Sequence, residues 1–191
     1  MTTAKSRTRS IDARIVRSGA AMREALLQLL EERPLEAISG AMVAERAKVG
    51  YATFFRHYAD VRALVVDTVA AATDELAQAM MPALLAADSR GAAVVLVEAV
   101  SVRRVVFRSL FSGAGDVLRA ELSRQVIQRL DALPDLSPSW LPRQLATRIA
   151  VTGTIEVLDW WLREEPGMGT GDVAQLLDRL VIAPLGEPLA G

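Results

Sequence analysis

Apolar residues recur at helical spacing along most of the chain. Ile15, Met22, Leu26 and Leu29 follow one another at intervals of seven, four and three, which predicts a helix over residues 12–32. Ser10 or Asp12 serves its amino end, and Arg33-Pro34 closes it. Ser39 is placed to cap a second helix over 40–47, residues 51–57 form a third, and Asp60 caps a fourth over 61–80 that Pro82 ends. Further helices are expected over 89–111, with a break near Phe107, and over 115–133, 141–165 and 172–183. Pro34, Pro82, Pro134, Pro138, Pro142 and Pro166 separate these runs. No stretch alternates with period two between turn residues, so the fold class is all-α.

Two of the late helices are apolar on more than one side. In 141–165, Leu141, Leu145 and Ile149 line one face, while Val151, Ile155, Leu158 and Leu162 line another. In 172–183, Val173, Leu176, Leu177, Leu180 and Val181 form a broad stripe. Such helices need two partners: the core of their own domain and either further elements of the same subunit or a second copy of the chain.

Composition narrows the function. Half of the 191 residues are hydrophobic but only 5% are aromatic, so the core is built from Leu, Val, Ile and Ala. There is no cysteine, hence no disulfide and no thiolate metal site. The first residues are polar and basic, without the apolar stretch of a signal peptide. The apolar run 92–100 contains Glu98 and falls far short of the ~20 residues of a membrane span, so a cytoplasmic protein is expected. The net charge of −1 hides an asymmetry: residues 1–60 carry ten Lys/Arg against seven Asp/Glu, and the remainder twelve against sixteen. A basic end on an acidic body suggests that this end meets a polyanion.

Catalytic chemistry is not in evidence. His57 is the single histidine, and a Ser-His-Asp triad or a histidine zinc site would have to be built around it. The glycine-rich stretch 167–171 lies between two helices, whereas a phosphate-cradling loop follows a strand; it reads as an interhelical loop. No catalytic residue, metal or cofactor is expected.

Residues 41–58 carry the strongest signal: a short helix, a three-residue turn and a second short helix, the arrangement that lays one helix in the DNA major groove. Met42, Val43 and Ala47 supply packing on the first helix, Val49 plugs the turn, and Phe54 and Tyr58, four apart, point at the core. Tyr51, Ala52, Thr53, Arg56 and His57 are left for the outside, a set of small and hydrogen-bonding groups suited to reading a groove.

These residues resemble the amino-terminal domain of the TetR family of transcriptional regulators. The resemblance rests on Val43-Ala44, Ala47-Lys48-Val49-Gly50, Thr53-Phe54-Phe55-Arg56-His57-Tyr58 and Leu64, and covers residues 11–64. The chain departs from the family pattern at Lys48, Gly50, Phe55 and Val61, where the pattern has Gly, Ser, Tyr and Lys; Arg62 lies beside the last. The resemblance implies a DNA-binding domain over 1–64 and a helical ligand-binding and dimerisation domain over 65–191. It implies a homodimer through the last two long helices, at 141–165 and 172–183, on a double-stranded, palindromic operator. The protein is then a repressor released by a small hydrophobic effector, with no membrane involved. The alternatives are a helical protein-interaction module and a DNA-binding protein that needs no effector.

By resemblance and geometry, Tyr51, Ala52 and Thr53 meet bases or nearby phosphates, Arg56 and His57 meet phosphate, and Ser39, Lys48 and Arg62 anchor the backbone. Arg7 and Arg9 follow the backbone or enter the minor groove. For the effector, the candidates are Arg103, Arg104, Phe107, Phe111, Trp140, Thr152, Glu156 and Trp160: large rings and a few polar groups around an apolar pocket.

Overall fold

The computed structural model describes residues 2–113, 115–133, 135 and 137–186, with the side chains of all but 2–14, 109, 111–113 and 115–119. The described residues form helices α1 (Thr2–Glu32), α2 (Gly40–Arg46), α3 (Tyr51–His57), α4 (Val61–Leu85), α5 (Ser89–Val102), α6 (Arg104–Gly113), α7 (Gly115–Asp131), α8 (Arg143–Arg163), α9 (Thr170–Leu177) and α10 (Ala183–Gly186). A single 3-10 turn spans Leu35–Ala37, a π-helical turn spans Asp178–Ile182, and no strand occurs among the described residues. The chain divides into two compact units, residues 1–68 and 69–191.

In the first unit, α2 packs against both α1 and α3. Its core takes Met22, Ala25, Leu26, Leu29 and Leu30 from α1, Val43 and Ala44 from α2, Phe54 from α3, and Leu64 and Val65 from the start of α4. Full burial of each large side chain is worth about 1.5–3 kcal/mol. Two expectations change here. Helix α1 begins at Thr2 rather than near residue 12, because no Pro or Gly interrupts the Arg- and Ala-containing stretch before it; Ser10 and Asp12 therefore lie inside the helix instead of capping it. Ile15, expected on the core face, is exposed.

Pro82 does not end α4, which runs on to Leu85. A proline forfeits one intrahelical hydrogen bond, and the stop comes instead from Ala87, whose φ of 56° turns the chain left-handed. Two hydrogen bonds close this end: Ala87 N–H donates to Leu84 O (3.1 Å) and Asp88 N–H to Ala83 O (2.8 Å). A Cβ costs roughly 1–2 kcal/mol in that conformation, so Ala87→Gly is expected to raise stability by about 1 kcal/mol, read as a higher urea midpoint with an unchanged slope.

The second unit is centred on Ala93, Leu96, Val97 and Val100 of α5, Leu158, Trp161 and Leu162 of α8, and Val173, Ala174, Leu177 and Val181 of the last helical run. Gly153 allows the close approach of α8: a Cβ there would lie 3.0 Å from Val181 Cγ2. The break expected near Phe107 falls at Arg103, where φ −121° and ψ 35° leave the helical region. Val100 and Val106 are both buried. An unbroken helix would set positions six apart roughly 120° away from each other around its axis, and the break lets both face inward. The glycine-rich stretch after α8 is pinned through its carbonyls: Trp161 Nε1–H donates to Met168 O (3.1 Å), Arg104 Nη2 to Pro166 O (2.8 Å) and Arg90 Nη2 to Gly171 O (2.9 Å). No described helix is long and apolar enough to cross a membrane.

Candidate nucleic-acid interface

The geometry of residues 39–67 follows from a few local choices. Ser39 is extended, and its Oγ accepts from Met42 N–H (3.3 Å), capping α2 as its position predicted. Arg46, near the far end of α2, forms a two-pronged ion pair with Glu32 of α1 at 2.8 and 2.9 Å. The hydrogen bonds from Arg46 hold the Glu32 carboxyl below its ordinary range. Asp60 Oδ1 accepts from Ala63 N–H (2.8 Å) and caps α4.

The turn between α2 and α3 reverses the chain at Lys48, whose φ is 54°. Lys48 N–H donates to Glu45 O (3.0 Å) and Val49 N–H to Ala44 O (2.9 Å), the same closure that ends α4. Lysine thus stands where glycine is cheapest. Lys48→Gly is expected to stabilise the fold by about 1 kcal/mol, and a thermal melt checks it. Gly50 then leads into α3 without a side-chain cap, a loss of a few tenths of a kcal/mol against serine.

Phe54 seats the recognition helix. It is fully buried, and it fills the space opposite Gly40, where a Cβ would come within 2.7 Å of its ring. Gly40→Ala must therefore displace Phe54 or shift α2, and is expected to cost about 1–3 kcal/mol; a urea titration reads it. Tyr58, also buried, donates its hydroxyl to Asp67 Oδ2 at 2.7 Å, and Arg23 Nη1 reaches the same oxygen at 2.9 Å. Burial, then the hydrogen bond to Asp67, pushes the Tyr58 phenol well up. Burial opposes the Arg23 charge, but the hydrogen bond and charge of Asp67 outweigh it and raise the guanidinium. One carboxylate oxygen thereby joins α1, the end of α3 and α4.

The outer side of α3 is more apolar than the sequence reading had it. Tyr51 is 59% and Phe55 49% exposed, with their rings edge to face at 4.9 Å. Ala52 and Arg56 are exposed and Thr53 half-buried. Arg56 Nη2 donates to Thr53 Oγ1 at 2.8 Å. His57 turns toward α1, its Nε2 lying 2.9 Å from Ser18 Oγ. The Ser18 hydroxyl donates to Ile15 O (3.0 Å), so Nε2–H donates to Ser18. Ser39, Lys48 and Arg62, which flank this helix in the sequence, are exposed. The side chains of Arg7 and Arg9 lie outside the described residues. Phe55 is a further exposed residue of this face, and its i+4 spacing from Tyr51 is the sequence signal for it; no sequence signal marks the Asp67 junction.

The effector candidates are dispersed in the second unit. Arg103 ends α5 and is exposed. Arg104 stacks over the Trp161 ring at 4.3 Å. Phe107 and Trp160 pack on the core, while Trp140 is exposed at the turn before α8. Thr152 and Glu156 are exposed on α8, continuing the series Leu145, Ile149, Thr152 and Glu156 at successive spacings of four, three and four. The side chain of Phe111 lies outside the described residues. Among the described residues no group of His, Cys, Asp or Glu is placed to hold a metal ion.

No protein-family model and no curated protein matches the chain. Solved structures do. The fatty acid degradation regulator FadR from Bacillus halodurans is 11% identical, with a TM-score of 0.66 over 90% of this chain and 97% of that one. A TetR transcriptional regulator from Rhodococcus sp. RHA1 is 20% identical, with a TM-score of 0.65 over 91% and 98%. FadR from Thermus thermophilus, a TetR-family transcriptional repressor solved in complex with lauroyl-CoA, is 15% identical, with a TM-score of 0.61 over 91% and 96%. The chain has the all-α fold of the TetR-family transcriptional regulators.

Proposed function

We propose that the chain is a sequence-specific DNA-binding transcriptional regulator, a cytoplasmic repressor released from a palindromic operator by a small hydrophobic effector. The observation that carries this reading is the seating of α3. Its inner side is locked by Phe54 and Tyr58, its outer side is left open, and Lys48, Arg56 and Arg62, within it or close to it in the sequence, are exposed. In this reading residues 1–64 bind DNA and residues 65–191 dimerise and receive the effector. Tyr51, Ala52 and Thr53 face bases. Ser39, Lys48, Arg56 and Arg62 meet phosphates, and Arg7 and Arg9 extend the contact along the backbone. His57 reaches phosphate only by giving up Ser18.

Two copies present their recognition helices about one DNA turn apart, roughly 34–36 Å. The exposed Leu145 and Ile149 of α8 and Leu180 of the last helical run support a dimer through these helices. Ile149→Glu combined with Leu180→Glu is expected to give monomers in sedimentation velocity while leaving helical content intact. An unchanged dimer would move the interface elsewhere. For the effector, the lauroyl-CoA complex of the Thermus thermophilus protein supports a hydrophobic molecule. Such a molecule releases DNA only if it binds more tightly to the conformation with the wrong helix separation. The reading is tested by selection from a pool of randomised duplexes with the full-length protein. It expects enrichment of one inverted repeat; a pool that stays random contradicts it.

A further inference from the structure

Several polar side chains of the recognition helix and its cap already bond to protein groups. Arg56 bonds to Thr53, His57 to Ser18 and Tyr58 to Asp67. Beside the exposed Arg56 side chain, α3 presents outward two aromatic rings and a methyl group: Tyr51, Phe55 and Ala52. We propose that Tyr51, Ala52 and Phe55 form an apolar reading face that selects operator positions by the C5-methyl group of thymine. This rests on the DNA-binding reading above and names the base chemistry that the same site takes.

Three observations carry it. Within the major groove, thymine alone among the four bases offers an apolar group at its edge. The Phe55 ring is held from two sides, edge to face with Tyr51 at 4.9 Å and with the buried Phe54 at 5.2 Å. A ring fixed in advance loses little side-chain freedom on contact. The exposed cations Lys48, Arg56 and Arg62 lie just before, within and just after α3 in the chain and complement phosphates, which favours DNA as the partner that covers the face. Phenylalanine at position 55 itself fits this role, because its ring has no hydroxyl to give a phosphate.

The test uses the full-length chain and the duplex recovered by selection. Each thymine is replaced in turn by uracil, which keeps the base pair and the O4 acceptor and lacks only the methyl. Fluorescence anisotropy is expected to show about fourfold weaker binding for each methyl that is contacted. Phe55→Ala and Tyr51→Ala should bind the thymine and uracil duplexes equally well at those positions. The uracil scan on the unaltered protein stands even if a variant fails to fold. Tolerance of uracil within twofold at every position overturns the inference, as does a selected sequence without thymine in its half-sites. Equal uracil sensitivity in the wild type and in folded variants also overturns it. A pool that never enriches instead removes the DNA-binding reading beneath it, so the two failures are separable.

Discussion

Trp161→Ala is expected to lower the stability of the second unit by about 3–5 kcal/mol. Trp161 is fully buried among residues of α5, α8 and the last helical run. Removing the ring leaves a cavity where three helical segments meet. It also leaves Met168 O without the indole donor and takes away the ring beneath the Arg104 guanidinium. Domains are stable by only about 5–15 kcal/mol in all, so a loss of this size removes much of the margin. A urea titration followed by circular dichroism at 222 nm checks it. Trp161→Phe separates the contributions: it retains most of the buried ring and loses the hydrogen bond, for which a cost of about 1–2 kcal/mol is expected.

Phe54→Ala is expected to cost the first unit a similar 3–5 kcal/mol and, with it, sequence-specific DNA binding. The ring fills the space against Gly40 and is tied by ring contacts to Phe55 and Tyr58. Without it α3 has lost the main side chain that sets how it projects. Tyr51→Ala provides the contrast. Tyr51 is exposed, so its loss should leave the melting temperature within about a degree or two, since surface changes usually stay within ±0.5 kcal/mol. It should nevertheless weaken specific binding and relax base preference. A thermal melt beside an anisotropy titration distinguishes loss of the helix seat from loss of the reader.

Local rules and tertiary packing set different parts of this fold. Helix positions that depend on local rules were legible: the Ser39 and Asp60 caps, the α2–turn–α3 unit, and the inward Phe54 and Tyr58 at i,i+4. The left-handed turn at Lys48 was legible because the resemblance marks a glycine there, and its φ of 54° shows lysine held in that conformation. Three features were not legible, one because its partner is distant in sequence and two because packing overrode a local rule. Pro82 reads as a stop because proline usually is one, yet the stop is set by the left-handed Ala87 and the hydrogen bonds from Ala87 N–H and Asp88 N–H. His57 was read as facing outward from its helical position, but Ser18, thirty-nine residues away, takes its ring nitrogen. The break at Arg103 serves the burial of Val100 and Val106 together, which no window of spacing reveals. The effector candidates were the least legible, because rings and isolated charges in helices have core and surface roles open to them as well, as Arg104 over Trp161 illustrates.

The central claim is that α3 with its cationic surround reads a DNA sequence. The most direct measurement is the affinity of the full-length protein for the selected duplex and for a scrambled duplex of equal composition, each across a series of salt concentrations. The account predicts that the selected duplex binds about 10³-fold or more tightly at physiological salt, and that log K falls linearly with log salt for both. Equal affinity for the two duplexes, or binding that ignores salt, would contradict it.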